Sequence, residues 1–592
     1  MNRSRAPSLA AVSAQVRGAL PRAWRSTSLA WAALVAIDLV GRASYLAPRL
    51  ATARGALNYA AASAALWVVV RLLQLASGRP RLALFALVVS LPMAIEWAVF
   101  ASYGQFVAPT DLVAFFESPH VVFQAAGEGG DRFGSLAVFV LSTGAAWLLP
   151  HEVQPLRWWR AVLASLVLIA TVAAGASWWR ASPSLGHSQP AFACALAGLM
   201  RQATVRANGG GRIAVPSVPM PTDGAPSAPL PNIVLVLGES LVASHLSLYG
   251  YDRPTTPRLQ ALADRGELVT FVDAAVMGPH TRTSLPYIMT GLSGPDPGGR
   301  VLLAPTVTQY AKARGYHTAF ISAQEESWGD LDSLLREGTD TFRTGIEFAP
   351  HVDVLKGADD LVVLEEGVLP AIRSLAEPFF LVVHMDGSHM PYRQHSPPSH
   401  KVFAEDGVNS IGAYDNTIRV TDEFVARLFD ALRARDPEAW LFFTSDHGQP
   451  LGEGGAFFNH GYQTNVVKDP LLAFPPPSGN RAMWTALAGA QVSACDLTPT
   501  ILHLMQTAPL PEAPTDCVDW LAGPPGPRHR VVSAYTPTYV TEPTMLLLLP
   551  DGRRAVYDLS RNTVTLDDGA VRPMSEHPLP PELAAKLVIT NR

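Results

Sequence analysis

Five apolar stretches lie within the first 180 residues, at roughly 28–47, 57–77, 82–103, 133–149 and 161–179. Each is near the ~20 residues that cross a ~30 Å hydrocarbon core, so their spacing predicts a five-span helical membrane domain over 1–180. A composition of 48% hydrophobic and only 16% charged residues fits that reading. The fourth stretch is short, and the first carries Asp38 and Arg42. Trp158-Trp159 and Trp178-Trp179 bracket the fifth like an interfacial aromatic belt. Asp38, Arg42 and Glu96 lie inside the stretches. They are expected to pair or to sit near an interface, with a functional role as the alternative.

Arginines set the expected orientation. Arg3, Arg5, Arg17, Arg22 and Arg25 precede the first stretch, Arg79 and Arg81 follow the second, and Arg157 and Arg160 precede the fifth. The alternate loops hold Arg49, Arg54 and Arg132 diluted by Asp111, Glu117, Glu128 and Asp131. An excess of positive charge stays cytoplasmic, so the N-terminus is expected inside and everything after Trp179 outside. The late first apolar segment, followed by further spans, does not read as a cleavable signal peptide. A net charge of −5 argues against a nucleic-acid binder.

Residues 181–230 read as a linker, rich in Gly, Pro and Ser from 208 (NGGGRIAVPSVPMPTDGAPSAPLP). After it the pattern changes. The runs IVLVL (233–237), HTAFIS (317–322), FFLVVH (379–384) and WLFFTS (440–445) alternate with helical stretches such as 415–435. Continuous apolar strands between helices predict an α/β domain over 231–592 with a mostly parallel sheet buried on both faces. The 544–568 stretch reads as short strands joined by an Asp-Gly turn, so a small C-terminal subdomain is expected from about 520.

Ligands gather at the carboxyl ends of parallel strands. There this sequence puts Glu239 after IVLVL, Asp446-His447 after WLFFTS, and Asp386 with His389 after FFLVVH. Glu239, Asp446 and His447 make an oxygen/nitrogen set suited to a divalent metal such as zinc. Taken singly, Glu239 would be a dipole-favoured helix start and Asp-His-Gly a turn. Their joint arrival at strand ends favours the metal. A hydroxyl in an open fourth position would be activated as a nucleophile, and Thr281 and Thr283 of GPHTRTSLPYIMTG are the candidates.

GESLVASHLSLYGYDRPTTPRL (238–259), YDNTI (414–418), TSDHGQPLGEGGAFFNHG (444–461) and DLTPTIL (496–502) resemble the alkaline phosphatase/sulfatase superfamily. Within it they are most similar to membrane-anchored phosphoethanolamine transferases, with lipoteichoic acid synthases as relatives. The resemblance implies an extracytoplasmic α/β domain behind five spans, in the periplasm of a bacterial inner membrane. It implies Zn2+ as the metal, with Mn2+ as the alternative. It places the nucleophile on Thr281, in register with the following Thr290-Gly291, where sulfatases carry a Cys or Ser that becomes formylglycine. Threonine cannot be so converted, and the transferases use it unmodified as a metal ligand. The local spacing departs from the usual transferase pattern and keeps Thr283 as runner-up.

His389 and His460 match positions that hold substrate phosphate or a second metal, whereas His384 and His395 have no such match. Arg282 and His280 flank the nucleophile, and Gln324 and Trp328 are candidates to line an acceptor pocket. The implied reaction moves phosphoethanolamine from phosphatidylethanolamine to lipid A or an envelope glycan through a phosphothreonine-type intermediate. The alternatives are phosphoglycerol transfer and a non-catalytic lipid-binding regulator. The scarcity of cysteines (Cys194, Cys495, Cys517) departs from lipid A transferases, which carry several disulfides. Cys495 and Cys517 are open to pairing or to standing as lone thiols.

Overall fold

The computed structural model describes residues 9–51, 53–74, 79–103, 132–149, 191, 226–326, 331–349, 352, 356–407, 409–452, 461–509, 515–534, 544–559 and 561–587. The chain divides into two compact units, Met1–Asn208 and Gly209–Arg592.

The first unit is helical. Helices Leu9–Gly41 and Ala43–Leu50 meet at a turn on Arg42, and Ala53–Gln74 follows. Arg79–Phe85 continues through a wider π-turn stretch into Leu91–Tyr103, and Arg132–Ala145 closes the described set. Among the described residues, one helix, Gly55–Leu73, is long and apolar enough to cross a membrane, while Leu82–Trp97 and Phe133–Ala145 are apolar but shorter. The five-span expectation thus has one full-length candidate here, and the 161–179 stretch with its flanking tryptophans lies outside the described residues. Asp38 and Arg42 are both buried and pair one helical turn apart, Nε to Oδ1 at 2.7 Å and Nη2 to Oδ2 at 2.6 Å. Tyr59 donates to Asp38 Oδ2 at 2.8 Å. A buried charge is tolerable only when compensated in this way, so the pairing expected of these two residues is present.

The second unit is built on a sheet of strands β1 (Ile233–Gly238), β2 (Val269–Phe271), β4 (His317–Ser322), β5 (Thr341–Arg343), β6 (Phe379–His384), β7 (Trp440–Ser445) and β8 (Leu471–Phe474). Its order is β2-β8-β7-β1-β6-β4-β5. All pairs from β7 to β5 are parallel, and β8 runs antiparallel to both β7 and β2. Continuous apolar runs need two covered faces. In β1, Ile233, Leu235 and Leu237 enter one core while Val234 and Val236 enter the other. Helix Ile411–Arg435 covers the second face; it starts four residues before the expected 415, because Ser410 caps it by accepting from Ala413 N. A two-stranded piece, β3 (Asp273–Ala275) with β9 (Gln491–Ser493), lies beside the main sheet.

The C-terminal strands β10 (Arg530–Ser533), β11 (Thr544–Leu548), β12 (Arg554–Asp558), β13 (Thr563–Leu566) and β14 (Val571–Pro573) form an antiparallel meander. Its first strand begins ten residues after the expected boundary near 520. The β11–β12 hairpin turns at Asp551-Gly552, where the glycine takes a φ of +84°.

Cys495 and Cys517 form a disulfide 22 residues apart in sequence, which settles the alternative left open above. Cross-linking a loop of that length restricts the unfolded chain by about 3 kcal/mol. Replacing both cysteines by serine should lower the denaturation midpoint of the full chain accordingly. The fluorescence of fully buried Trp484 and Trp520 would report it; an unchanged midpoint would show that the bridge adds nothing.

Candidate metal and nucleophile site

The sheet register assembles the site. Leu237 of β1 pairs with His384 of β6, Gly238 pairs with Ser445 of β7, and Ser322 of β4 pairs with His384. Four adjacent parallel strands therefore end level with one another, and the next residues out of them include Gln324, Met385, Glu239, Asp446 and His447. Backbone bonds extend the ladder past the strand ends, from Met385 N to Leu237 O at 2.9 Å and from Asp446 N to Gly238 O at 3.0 Å.

Glu239, Asp446 and His447 are each at most 1% exposed, and one donor atom from each lies within 4.8 Å of the others. Thr281 opens helix Thr281–Thr290. Its hydroxyl donates to Glu239 Oε2 at 3.0 Å and lies 3.3 Å from His447 Nε2. His447 Nδ1 faces the Gly448 carbonyl at 2.8 Å. A carbonyl only accepts, so the proton sits on Nδ1 and the Nε2 lone pair points inward. Asp446 Oδ2 is buried without a hydrogen-bond donor, 3.2 Å from that lone pair. Two acceptors facing each other in a dry site need a cation or a proton between them. Burial and the Glu239 charge push the Asp446 carboxyl well above its ordinary value, and burial holds the His447 imidazole below its own. The donor set therefore fits a divalent cation, with Thr281 Oγ as a fourth ligand.

Ser240 binds the two carboxylates together. Its hydroxyl donates to Glu239 Oε1 at 2.5 Å and its N–H to Asp446 Oδ1 at 3.1 Å. It does so from a left-handed φ of 56°, which costs energy in a non-glycine residue and persists only where neighbours impose it. Tyr414, from the YDNTI segment, supplies that constraint: its hydroxyl donates to Ser240 O and accepts from Val242 N, both at 2.8 Å. Asp415 beside it gathers His245, Tyr251 and Arg253 at 2.9, 3.1 and 2.7 Å.

The two threonines part company here. Thr283 is fully buried and donates to the His280 carbonyl at 2.9 Å, turned away from the carboxylates. His280 occupies the N-cap position, where its carbonyl accepts from Ser284 N, and Arg282 is buried in the first turn. His389 lies near enough to Glu239 to favour its charge, and its Nδ1 is held by Met390 O at 2.6 Å. His460 and Trp328 lie outside the described residues.

Gln324 belongs to the metal site rather than standing apart from it: its Nε2 donates to Glu239 Oε2 at 3.1 Å and to Met385 O at 2.9 Å. His384, without support in the sequence, is fully buried between Gln324 and Glu326, with Nδ1 2.6 Å from Glu326 Oε1. Burial disfavours its charged form, yet Glu326, helped by Glu239 and Asp446, lifts it to about 9. A cation would offset the last two anions, and the hydrogen-bond geometry around Gln324 calls for the neutral ring. His395 is likewise buried, on Asp386 Oδ2 at 2.6 Å. Asp386 and Gly387 in turn donate their N–H groups to Asp360 at 2.9 Å each. These ties fix the loop that carries His389. Position at the end of β6 was the one available signal for His384.

Residues 231–507 match the sulfatase family model. A Kdo(2)-lipid A phosphoethanolamine 7''-transferase of Salmonella typhimurium is 27% identical over 235 residues, 37% of this chain and 39% of that protein. Phosphoethanolamine transferase EptC of Escherichia coli is 30% identical over 240 residues, 37% of this chain and 40% of that protein. The chain thus spans about two fifths of the length of these curated relatives. Among solved structures, the integral membrane lipooligosaccharide phosphoethanolamine transferase A of Neisseria meningitidis superimposes with a TM-score of 0.58 at 17% identity. It covers 81% of this chain and 95% of its own, a likeness of fold. Residues 231–507 therefore carry a domain that matches the sulfatase family and is similar in sequence to phosphoethanolamine transferases.

Proposed function

We propose that this chain is a metal-dependent transferase that moves phosphoethanolamine from phosphatidylethanolamine to a lipid A phosphate or an envelope glycan hydroxyl. It would work from the periplasmic face of the bacterial inner membrane, held there by five spans. The observation that carries this reading is the Thr281 hydroxyl at a helix N-terminus, 3.0 Å from Glu239 and 3.3 Å from His447. A helix N-terminus favours a phosphate, and threonine at this position excludes the sulfatase route through formylglycine. The names of the relatives support the transferred group.

Glu239, Asp446, His447 and Thr281 would hold the divalent cation, zinc first and manganese as the alternative, which lowers the hydroxyl's pKa and offsets phosphoryl charge. Thr281 gives up its proton towards Glu239 Oε2 and attacks the phosphorus. The Oγ–P bond forms as the P–O bond to diacylglycerol breaks. Diacylglycerol leaves as the alcohol, and the proton it gains balances the one lost by Thr281. The acceptor oxygen then attacks in line, its proton returns to Thr281, and the product departs. His389 and His460 are assigned to the substrate phosphate or to a second cation. Anchoring beside the lipid donor raises its effective concentration.

Intact-mass measurement of the purified chain after incubation with phosphatidylethanolamine tests this. A phosphoethanolamine adduct on the wild type, absent from Thr281→Ala, is expected. An adduct from phosphatidylglycerol alone would move the assignment to phosphoglycerol transfer, and none from either lipid would favour the lipid-binding regulator.

A further inference from the structure

A directed chain of side chains runs from strand β4 to the candidate metal ligand. Ser322 Oγ donates to Glu326 Oε1 at 2.6 Å, and His384 Nδ1 lies 2.6 Å from the same oxygen. A carboxylate accepts, so His384 carries a proton on Nδ1. Its Nε2 lies 3.3 Å from Gln324 Nε2. Gln324 Nε2 also faces Glu239 Oε2 at 3.1 Å and Met385 O at 2.9 Å. Glu239 Oε2 and Met385 O can only accept, so the amide has one orientation, with its nitrogen facing both, and a neutral His384 ring with its lone pair on Nε2 is the form that fits beside it. The Glu239 carboxylate is then fixed from both sides, by Ser240 Oγ on Oε1 and by Gln324 with Thr281 on Oε2. Glu326 and His384 are 2% and 0% exposed, too deep to meet a substrate, and nothing in the proposed reaction uses them.

We propose that Gln324 is a positioning residue for Glu239, oriented by the Ser322–Glu326–His384 chain, and that it presets the carboxylate for the cation and for Thr281. This differs from a role for Gln324 in lining the acceptor pocket, and it rests on the cation reading of the site. Outer partners of this kind govern ligand orientation, and their loss typically weakens metal binding or activity about 10–100-fold.

The experiment is zinc affinity of the full chain in detergent, with zinc alone as probe, measured by competition against a chelator, alongside KM and kcat for transfer. Gln324→Ala is expected to weaken zinc binding about 10–100-fold and to lower kcat with KM unchanged. Both bonds to Glu326 end on Oε1, which a glutamine retains. Glu326→Gln should therefore restore most of the affinity that Glu326→Ala loses, a rescue that general destabilisation would not produce. Wild-type zinc affinity in Gln324→Ala, with a raised KM, would overturn the inference in favour of an acceptor contact. Undiminished zinc binding in Glu239→Gln would overturn the cation reading itself, a separate failure.

Discussion

Thr281→Ala should lose transfer by about ten-thousand-fold or more, the scale seen when a nucleophile is removed from a preassembled site, while Thr283→Val keeps its rate. The two residues are one helical step pair apart, yet their surroundings are opposed. Thr281 Oγ donates to Glu239 Oε2 and lies beside His447 Nε2, so its proton already has somewhere to go. Thr283 Oγ1 donates to the His280 carbonyl, an acceptor that cannot take a proton. Valine keeps the volume of Thr283 and loses that bond, a cost of about 1 kcal/mol in stability. Transfer rates for the two variants, with unfolding midpoints beside them, separate chemistry from scaffold. A dead Thr283→Val with an unchanged midpoint would reverse the assignment.

Much of this site was legible because strand ends in a parallel sheet are predictable. Glu239, Asp446 and His447 each follow a short continuous apolar run, and runs of five or six residues rich in β-branched and aromatic side chains fit strands covered on both faces. Thr281 was separable from Thr283 only through the family resemblance, since both hydroxyls precede the same apolar helix. Gln324, His384 and Glu326 were obscure for a physical reason. Their roles come from the lateral register of β4 against β6 and of β6 against β1, pairings between segments about 60 to 150 residues apart that no local pattern encodes. Ser240 was hidden differently: its left-handed backbone is imposed by Tyr414, 174 positions along the chain. In the first unit, hydropathy finds apolar stretches but does not see the turn at Arg42, whose side chain pairs with Asp38.

Asp446→Asn should separate function from stability, abolishing cation binding and transfer while making the cation-free protein more stable. The framework survives the change: Asn Oδ1 can still accept from Ser240 N and His447 N, as Asp446 Oδ1 does at 3.1 and 2.7 Å. What alters is the second atom. Asp446 Oδ2 is an acceptor 3.2 Å from the His447 lone pair, and an amide nitrogen there would donate into that lone pair. A buried like-charge repulsion with Glu239 becomes a hydrogen bond, worth about 1–2 kcal/mol. The pH dependence has a definite sign. Because the folded-state pKa of Asp446 is raised, the penalty is absent when the carboxyl is protonated in both states, below about pH 4, and grows as pH rises from there towards the folded value. The advantage of asparagine in the cation-free protein should therefore widen between about pH 4 and pH 7. Zinc acts in the opposite direction. At a thousandfold over its Kd it would stabilise the wild type by about 4 kcal/mol, and this increment should vanish in the variant. Thermal unfolding with and without zinc, across pH, reads both terms. A zinc shift retained in Asp446→Asn would remove Asp446 from the ligand set. A lower cation-free midpoint would mean that the two carboxylates are not opposed, and that the site has no intrinsic need of a cation.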